Sequence, residues 1–476
     1  MNFSIKVSGT KRDGIKEVFS PFDGALVGVV ETLGIEGVEQ ALSNSDALFK
    51  NRSNWLSAEQ RIAILERTAE LMEERSEQLI ALAVGEGGKP YQDTKVELNR
   101  AIDSIKNCRD CIRTQHGSVI PMQINAASMH RMAFTQHEPI GIVVAVSAFN
   151  HPINLIVHQI GPAIAAGCPV IIKPAEKTPL SAFALVDILR EAGLPDNWCQ
   201  PLLTKDLAVA EALVSDPRVA FLGFIGSAKV GWQLRSKLAP GARCALEHGG
   251  AAPVIVAADA DLDAMAPLLT KGSFYHAGQV CVSVQRIYAH RSIARALADK
   301  LAHLAEALMV GNPADLATEV GPLIRPEEVD RVAHWVSEAV AEGAELLTGG
   351  KVISESLYSP TVLFNPAETS KVSQQEIFGP VVCIYEYDDM EDAIAYANAL
   401  PYAFQAAVMT RNIDTALFAF KNLQASAVMI NDHTAFRVDW MPFAGLKASG
   451  YGTGGIPYTY RDMQIEKMAV FHSPVL

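Results

Sequence analysis

Ile140–Ala148 reads IGIVVAVSA, and after a helical stretch Cys168–Pro174 reads CPVIIKP. Both are short, continuous runs of apolar and β-branched residues. Runs of about four to eight such residues suit strands buried on both faces. The pattern recurs at CQPLL (199–203), VAFLGFIG (219–226) and ARCALE (242–247), with helical segments between. Strand–helix alternation predicts a doubly wound parallel sheet, which binds ligands beyond its C-terminal strand ends. A second alternating series starts at APVIVA (252–257) and continues through QRIYAH (285–290) and helices around 292–309 and 326–342. It then passes VVCIYEYD (381–388) and helices near 390–400 and 412–422, and ends at AVMIND (427–432). A second α/β domain is therefore expected. Upstream, residues 36–117 read as helices. The stretch AEQRIAILERTAELMEERSEQLIALAVG (58–85) has apolar residues at three- and four-residue spacing, with Gly85 as its stop. Residues 93–116 repeat that spacing and Gly117 ends it, whereas 441–460, rich in Gly, Pro and aromatics, is expected as loop.

The chain has 476 residues, which at roughly 100–200 residues per domain predicts two or three domains. With 49% hydrophobic and 20% charged residues, disorder is excluded as the main state. A net charge of −13 argues against a nucleic-acid partner, whose binders show a basic footprint. No apolar run approaches the ~20 residues of a membrane span, and MNFSIKVSGTKRDG at the start has no apolar signal core. A cytoplasmic location is expected. Seven scattered cysteines are an odd number and form no disulfide framework. Cys108 and Cys111 make a lone CxxC in a helical stretch, with no second pair at zinc spacing, so no metal is expected.

One cysteine stands apart. Cys281 ends Gly278-Gln279-Val280-Cys281, between a helical segment and a strand. A thiolate is a good nucleophile toward a carbonyl carbon. Alone, such a cysteine is more often a small packing residue. Likewise Asn150 before His151-Pro152 reads as a turn residue, and Glu247 before His248 as a loop carboxylate.

Taken together, several segments change that reading. Pro139–Ala182 (PIGIVVAVSAFNHPINLIVHQIGPAIAAGCPVIIKPAEKTPLSA), FIGSAKVG (224–231), LEHGG (246–250), GQVC (278–281), EIFGP (376–380) and PFAGLKASG (442–450) occur in one order. In that order and spacing the chain strongly resembles the aldehyde dehydrogenase superfamily, over roughly residues 19–470. The resemblance implies a Rossmann-like, doubly wound NAD-binding domain (1–117 and 137–247) and a second α/β catalytic domain (248–440). It also implies a small β oligomerisation arm (118–136 and 457–476), with its C-terminal strand near 463–475. The partner would be a second copy, in a homodimer or homotetramer.

The resemblance also implies roles. Cys281 would attack the aldehyde to give a thiohemiacetal, with Asn150 and the Cys281 backbone N–H as oxyanion hole. Hydride would leave for the nicotinamide, and Glu247 would be the general base for thioester hydrolysis. Lys173 and Glu176 match the adenosine-ribose positions, Gly226 and Ser227 the pyrophosphate turn, and Glu376 and Phe378 the nicotinamide side. Glu176 would repel a 2′-phosphate, which favours NAD; Lys173 partly offsets this, so NADP stays open. There are departures: Glu247-His248-Gly249-Gly250 replaces Glu-Leu-Gly-Gly, Phe224-Ile225-Gly226-Ser227 replaces Phe-Thr-Gly-Ser, and Ala444 replaces a glycine. None removes a catalytic group. His248 is read as packing rather than catalysis.

The aligned substrate tunnel carries Arg100, His151, His158, Arg437 and Phe443, with Val280 and Val282 flanking the nucleophile. A cationic cluster in an apolar tunnel is costly unless an anion pairs with it, and arginine suits carboxylate, sulfonate and phosphonate. A short anionic aldehyde is therefore the expected substrate. The alternative is that Arg100 and Arg437 pair with Glu97, Asp103 or Asp439. The stretch from Asn431 to Pro442, followed by Gly454–Tyr458, resembles the branch of phosphonoacetaldehyde dehydrogenases, with lactaldehyde- and sulfolactaldehyde-type enzymes near it. That branch is expected to carry an arginine where Val280 stands, which leaves room for a sulfonate or carboxylate. Two other readings remain: a CoA-acylating semialdehyde dehydrogenase, against which Glu247 speaks, and a non-catalytic cofactor-binding protein that retains the fold.

Overall fold

The computed structural model describes residues 1–476. The chain opens with strands β1 (Asn2–Phe3), β2 (Gly14–Phe19) and β3 (Leu26–Thr32). Helices α1 (Ile35–Lys50), α2 (Ala58–Glu74), α3 (Ser76–Gly87) and α4 (Tyr91–Thr114) follow, then β4 (Val119–Ile120) and β5 (Arg131–Pro139). The first alternating series is β6 (Ile142–Val146), α5 (Asn154–Ala166), β7 (Val170–Lys173), α6 (Leu180–Glu191) and β8 (Cys199–Pro201). It continues with α7 (Leu207–Ser215), β9 (Val219–Ile225), α8 (Ala228–Arg235) and β10 (Arg243–Glu247). The second is β11 (Ala252–Val256), α9 (Leu262–Phe274), β12 (Val284–His290), α10 (Arg291–Ala307), α11 (Pro326–Ala341), β13 (Glu345–Thr348) and β14 (Thr361–Phe364). It runs on through α12 (Lys371–Gln374), β15 (Val381–Tyr387), α13 (Met390–Asn398), β16 (Tyr402–Ala403), β17 (Gln405–Met409), α14 (Ile413–Asn422) and β18 (Ala427–Ile430). The tail holds β19 (Leu446–Lys447), β20 (Gly450–Tyr451), α15 (Ile456–Asp462) and β21 (Gln464–His472).

Two large sheets result. One has the order β20-β10-β9-β6-β7-β8, parallel except at β20; the other is β13-β14-β15-β12-β11-β17-β18, parallel except at β13. Strand β7, VIIK, is buried at every residue, as a strand covered on both faces must be. Helix α5 is buried at every residue but Leu155 because it is enclosed by the first sheet, α4 and α15. The C-terminal ends of β6, β9 and β10 face the turn that leads into β12. The site lies in that gap.

Neither α5 nor α6 has a side-chain cap of its own. Buried carboxylates from neighbouring helices supply them. Glu97 of α4 accepts the Ile153 and Asn154 N–H groups at 2.8 and 3.0 Å, and Glu86 of α3 accepts those of Leu180 and Ser181 at 2.7 and 2.8 Å. Such caps satisfy donors that a helix start leaves unpaired.

Three local expectations are corrected. The stretch 58–85 is two helices, not one: Ser76 Oγ donates to the carbonyls of Met72 and Glu73, and the chain breaks at Arg75. The second helix passes Gly85 and stops at Gly88, whose φ of 68° is a glycine conformation. The tail expected as loop contains α15, whose Ile456, Tyr460 and Met463 enter the core around α5. The C-terminal strand expected near 463–475 is β21, which pairs with β5 from Gln464↔Pro139 to His472↔Arg131. The N-terminal sheet β1-β3-β2 was not anticipated, because Lys and Glu interrupt its pattern. No helix is long and apolar enough to cross a membrane.

Candidate active site

The turn into β12 holds Cys281 by an unusual backbone path. After α9, His276 and Ala277 adopt φ of 48° and 54°, and Gly278 follows at 72°. A Cβ on Gly278 would lie 2.1 Å from the Gly379 carbonyl oxygen, so only glycine fits. Gln279 pins the turn: its amide Nε2 donates to the Pro322 carbonyl at 3.1 Å and its Oε1 accepts from the Ile324 N–H at 3.0 Å. Cys281 then lines a cavity of about 480 Å³ together with Asn150, Glu247, Glu376 and Arg437. Burial pushes its thiol up to about 12; the Arg437 guanidinium pulls it down, and Glu247 and Glu376 push it up.

Asn150 sits between β6 and α5. Its Nδ2 donates one hydrogen to the Gln279 carbonyl at 2.8 Å, which leaves the second free. Glu247 ends β10, half-buried. Burial raises its carboxyl above the ordinary range and Arg437 opposes that rise. The space it occupies depends on Gly454, where a Cβ would come 2.0 Å from Glu247 Oε1. His248 lines the same cavity but is held by its own contacts. Its Nδ1 lies 2.9 Å from the Gly226 carbonyl, and its ring packs 5.6 Å from Phe224 and 6.0 Å from Trp232. A Cβ on Gly231 would strike it at 2.0 Å, so a histidine is accommodated here by a neighbouring glycine.

The other half of the cavity suits a dinucleotide. Gly226, Ser227 and Val230 line it at the start of α8, and that helix start has no side-chain cap. Uncapped N–H groups there are a site for an anion such as a pyrophosphate. Lys173 ends β7, mostly buried, its pKa lowered by burial and partly restored by Glu176. Glu176 is exposed, with Lys16 Nζ 3.7 Å from its carboxylate; both line a recess beside the main cavity rather than the cavity itself. Glu376 accepts the Gly250 N–H at 3.2 Å and lies so close to Gly249 that no Cβ fits there. Burial pushes its carboxyl up to about 8. Phe378, held at φ 49°, meets Phe149 edge-on at 5.9 Å.

At the far end the substrate-side residues converge, but not as independent cations. Asp439, 2% exposed, is their hub. It accepts from Arg100 Nε and Nη2 at 3.0 and 2.6 Å, from His158 Nε2 at 2.7 Å and from Asn154 Nδ2 at 3.2 Å. Thus Arg100 takes the alternative left open by the sequence: it is ion-paired. Arg437 is different. Its Nη2 donates to His158 Nδ1 at 3.3 Å, its guanidinium carbon lies 3.5 Å over the Phe443 ring, and its buried Nε has no hydrogen-bond partner. Asp439 is 3.7 Å from that Nε. His151 is buried, with Tyr275 Oη 3.5 Å from its Nε2. Burial above all, with Lys89 next, pushes its pKa down. Burial likewise lowers His158, to about 4. Gln279, Asn154 and Tyr275 were not singled out in the sequence. Gln279 stands within the quoted GQVC; the other two carry no local signal.

The model of the aldehyde dehydrogenase family matches residues 7–468. A 3-sulfolactaldehyde dehydrogenase of Priestia aryabhattai is 38% identical over 437 residues, covering 92% of this chain and 91% of that protein. The structure resembles aldehyde dehydrogenase 21 from Physcomitrella patens in complex with the reaction product succinate. That match has a TM-score of 0.94 and 32% identity, over 99% of this chain and 98% of the other. It also resembles the glyceraldehyde-3-phosphate dehydrogenase GapN from Methanocaldococcus jannaschii complexed with NADP. There the TM-score is 0.92 with 34% identity, covering 98% and all of the two chains, 100% of the latter.

Proposed function

The chain belongs to the aldehyde dehydrogenase family, and we propose on that premise that it oxidises a short anionic aldehyde to its carboxylic acid. The observation that carries the anionic part is Arg437: a buried guanidinium with an unmatched Nε, in the same cavity as Cys281. A buried guanidinium whose one neighbouring substrate-end carboxylate, Asp439, is already bound by Arg100 is under-compensated, and a ligand anion relieves that. The P. aryabhattai relative is named for a sulfonated aldehyde and the P. patens structure holds succinate, both compatible with such a site.

Cys281 is the nucleophile. Its sulfur adds to the aldehyde carbon, and the oxygen that becomes negative is met by the free Asn150 amide hydrogen and the Cys281 backbone N–H. NAD or NADP, when bound, supplies the hydride acceptor. Gly226 and Ser227 would hold its pyrophosphate, Lys173 and Glu176 the adenosine ribose, and Glu376 and Phe378 the nicotinamide side. Glu247, its carboxyl raised above the ordinary range by burial, takes a proton from the water that hydrolyses the Cys281 thioester. The presence of that base favours water over CoA as the acyl acceptor. The exposed apolar face of β5 and β21, with Met132, Phe134 and Phe471, supports self-association as a homo-oligomer.

The test is coenzyme reduction with NAD and with NADP, across succinic semialdehyde, sulfoacetaldehyde, phosphonoacetaldehyde and butanal. At least one anionic aldehyde should exceed butanal in kcat/KM by ~100-fold, the scale of one buried charge pair. Butanal matching all of them would overturn the anionic reading.

A further inference from the structure

We infer that the substrate's tail carries a single negative charge, as a sulfonate or a carboxylate does, and that Asp439 sets this limit by neutralising Arg100. The inference rests on the anionic-aldehyde reading above and deepens it.

It follows from the charges that face the substrate end of the cavity. Two are positive, Arg100 on α4 and Arg437 on the segment before β19. Asp439 is negative, and binds Arg100 through both carboxylate oxygens. His158 on α5 is fixed as the neutral ring by geometry. Its Nε2–H donates to Asp439, so its Nδ1 must be the lone pair that accepts from Arg437. A doubly protonated ring would turn an N–H against the guanidinium. His151 is buried among cations, which keeps it neutral as well. Lys89, nearby, is matched by Glu97 at 2.8 Å. One positive charge is left over, and it resides on Arg437. Glu247, at the chemical end, lowers that balance further whenever it is ionised.

A monoanion closes this account. A phosphonate or phosphate dianion brings a second charge with no partner, since the residue beside the nucleophile is Val280 and adds no cation. Burying an uncompensated charge costs several kcal/mol. Asp439 is thus a positioning residue: it touches no reacting atom, but it decides how many cations the substrate meets.

The test compares sulfoacetaldehyde, which stays a monoanion, with phosphonoacetaldehyde, whose second proton leaves in the region of the phosphate value of about 6. With the wild-type enzyme and saturating NAD or NADP, kcat/KM for both is measured from pH ~6 to pH ~8.5. The enzyme's own titrations cancel in the ratio of the two. The phosphonate-to-sulfonate ratio should fall by nearly tenfold per pH unit above the second ionisation, because only the phosphonate monoanion is used. At the alkaline end it should lie below ~0.01. Asp439→Asn frees Arg100 and should raise that ratio at least tenfold, chiefly through KM. A merely structural role would lower both substrates alike. If the variant does not fold, the wild-type pH profile decides. A ratio that is flat or rises with pH overturns the inference while leaving the anionic reading intact. Butanal exceeding every anionic aldehyde overturns both.

Discussion

Two buried charge clusters hold α5 in place, and they differ in one respect. At its N-terminus, Lys89 pairs with Glu97, and Glu97 spends its other oxygen on two backbone N–H groups. One cation meets one anion and every charge is matched. Over the first turn of the same helix, the side chains of Asn154 and His158 meet Asp439, which faces two arginines. There the cations exceed the anions by one. The first cluster is complete without a ligand, and reads as architecture. The second is complete only with an anion, and it opens on the cavity that holds Cys281. Balance marks the scaffold and imbalance marks the site.

Cys281→Ala alters neither cluster and gives the largest expected effect: loss of turnover by roughly 10⁴-fold or more in an NADH-release assay, with an unchanged melting curve. Wild-type turnover in this variant would detach the site from the thiol. Next come substitutions of one cation from each cluster. Lys89→Met strands Glu97 as a buried, unmatched carboxylate, so urea unfolding should show a loss of about 3–5 kcal/mol. Arg437→Gln removes the surplus charge, so stability should change by less than about 1 kcal/mol. Instead kcat/KM for an anionic aldehyde should fall about 100-fold, with butanal nearly unaffected. If Arg437→Gln proves the less stable of the two, the contrast between the clusters fails.

The same variant has a pH signature. Arg437 pulls both the Cys281 thiol and the Glu247 carboxyl downward. Its removal should move the acidic limb of kcat/KM, and the rate of iodoacetamide alkylation of Cys281, to higher pH. A shift to lower pH would contradict the placement of the guanidinium.

A last effect, on stability alone, concerns Glu86, which caps α6 as Glu97 caps α5 but has no cation beside it. Burial pushes its carboxyl up to about 7. Between the ordinary carboxylate range and that value the native state keeps a proton that the unfolded chain has lost. Stability therefore falls as pH rises through this window, by up to about 1.4 kcal/mol per pH unit, and levels off above it. Glu86→Gln should flatten that slope in urea titrations at several pH values. An unchanged slope would assign it to other groups.

Much of this was legible in the chain. The buried runs IVVAV and VIIK became β6 and β7 because no polar residue interrupts them. The quoted motifs brought Asn150, Glu247 and Cys281 to one cavity. Other features were not. The break at Arg75 has no glycine or proline to announce it; it depends on how one serine hydroxyl is satisfied. Helix α15 hid behind Gly455 and Pro457, which signal a loop locally yet serve here as a helix start. The strands β1 to β3 carry polar residues that the rest of the fold makes tolerable by leaving one face open.

Sequence by itself determined the sheet-forming runs, the chemistry-bearing residue types and their order, because periodicity and motif spacing are local properties. It also supplied a list of cations for the substrate end. Only the tertiary structure decided which of those cations is spent. Arg100 and Asp439 are 339 positions apart, and nothing short-range couples them. Their meeting depends on α4, α5 and the segment before β19 packing together. That packing turns two apparent anion-binding arginines into one ion pair and one available charge.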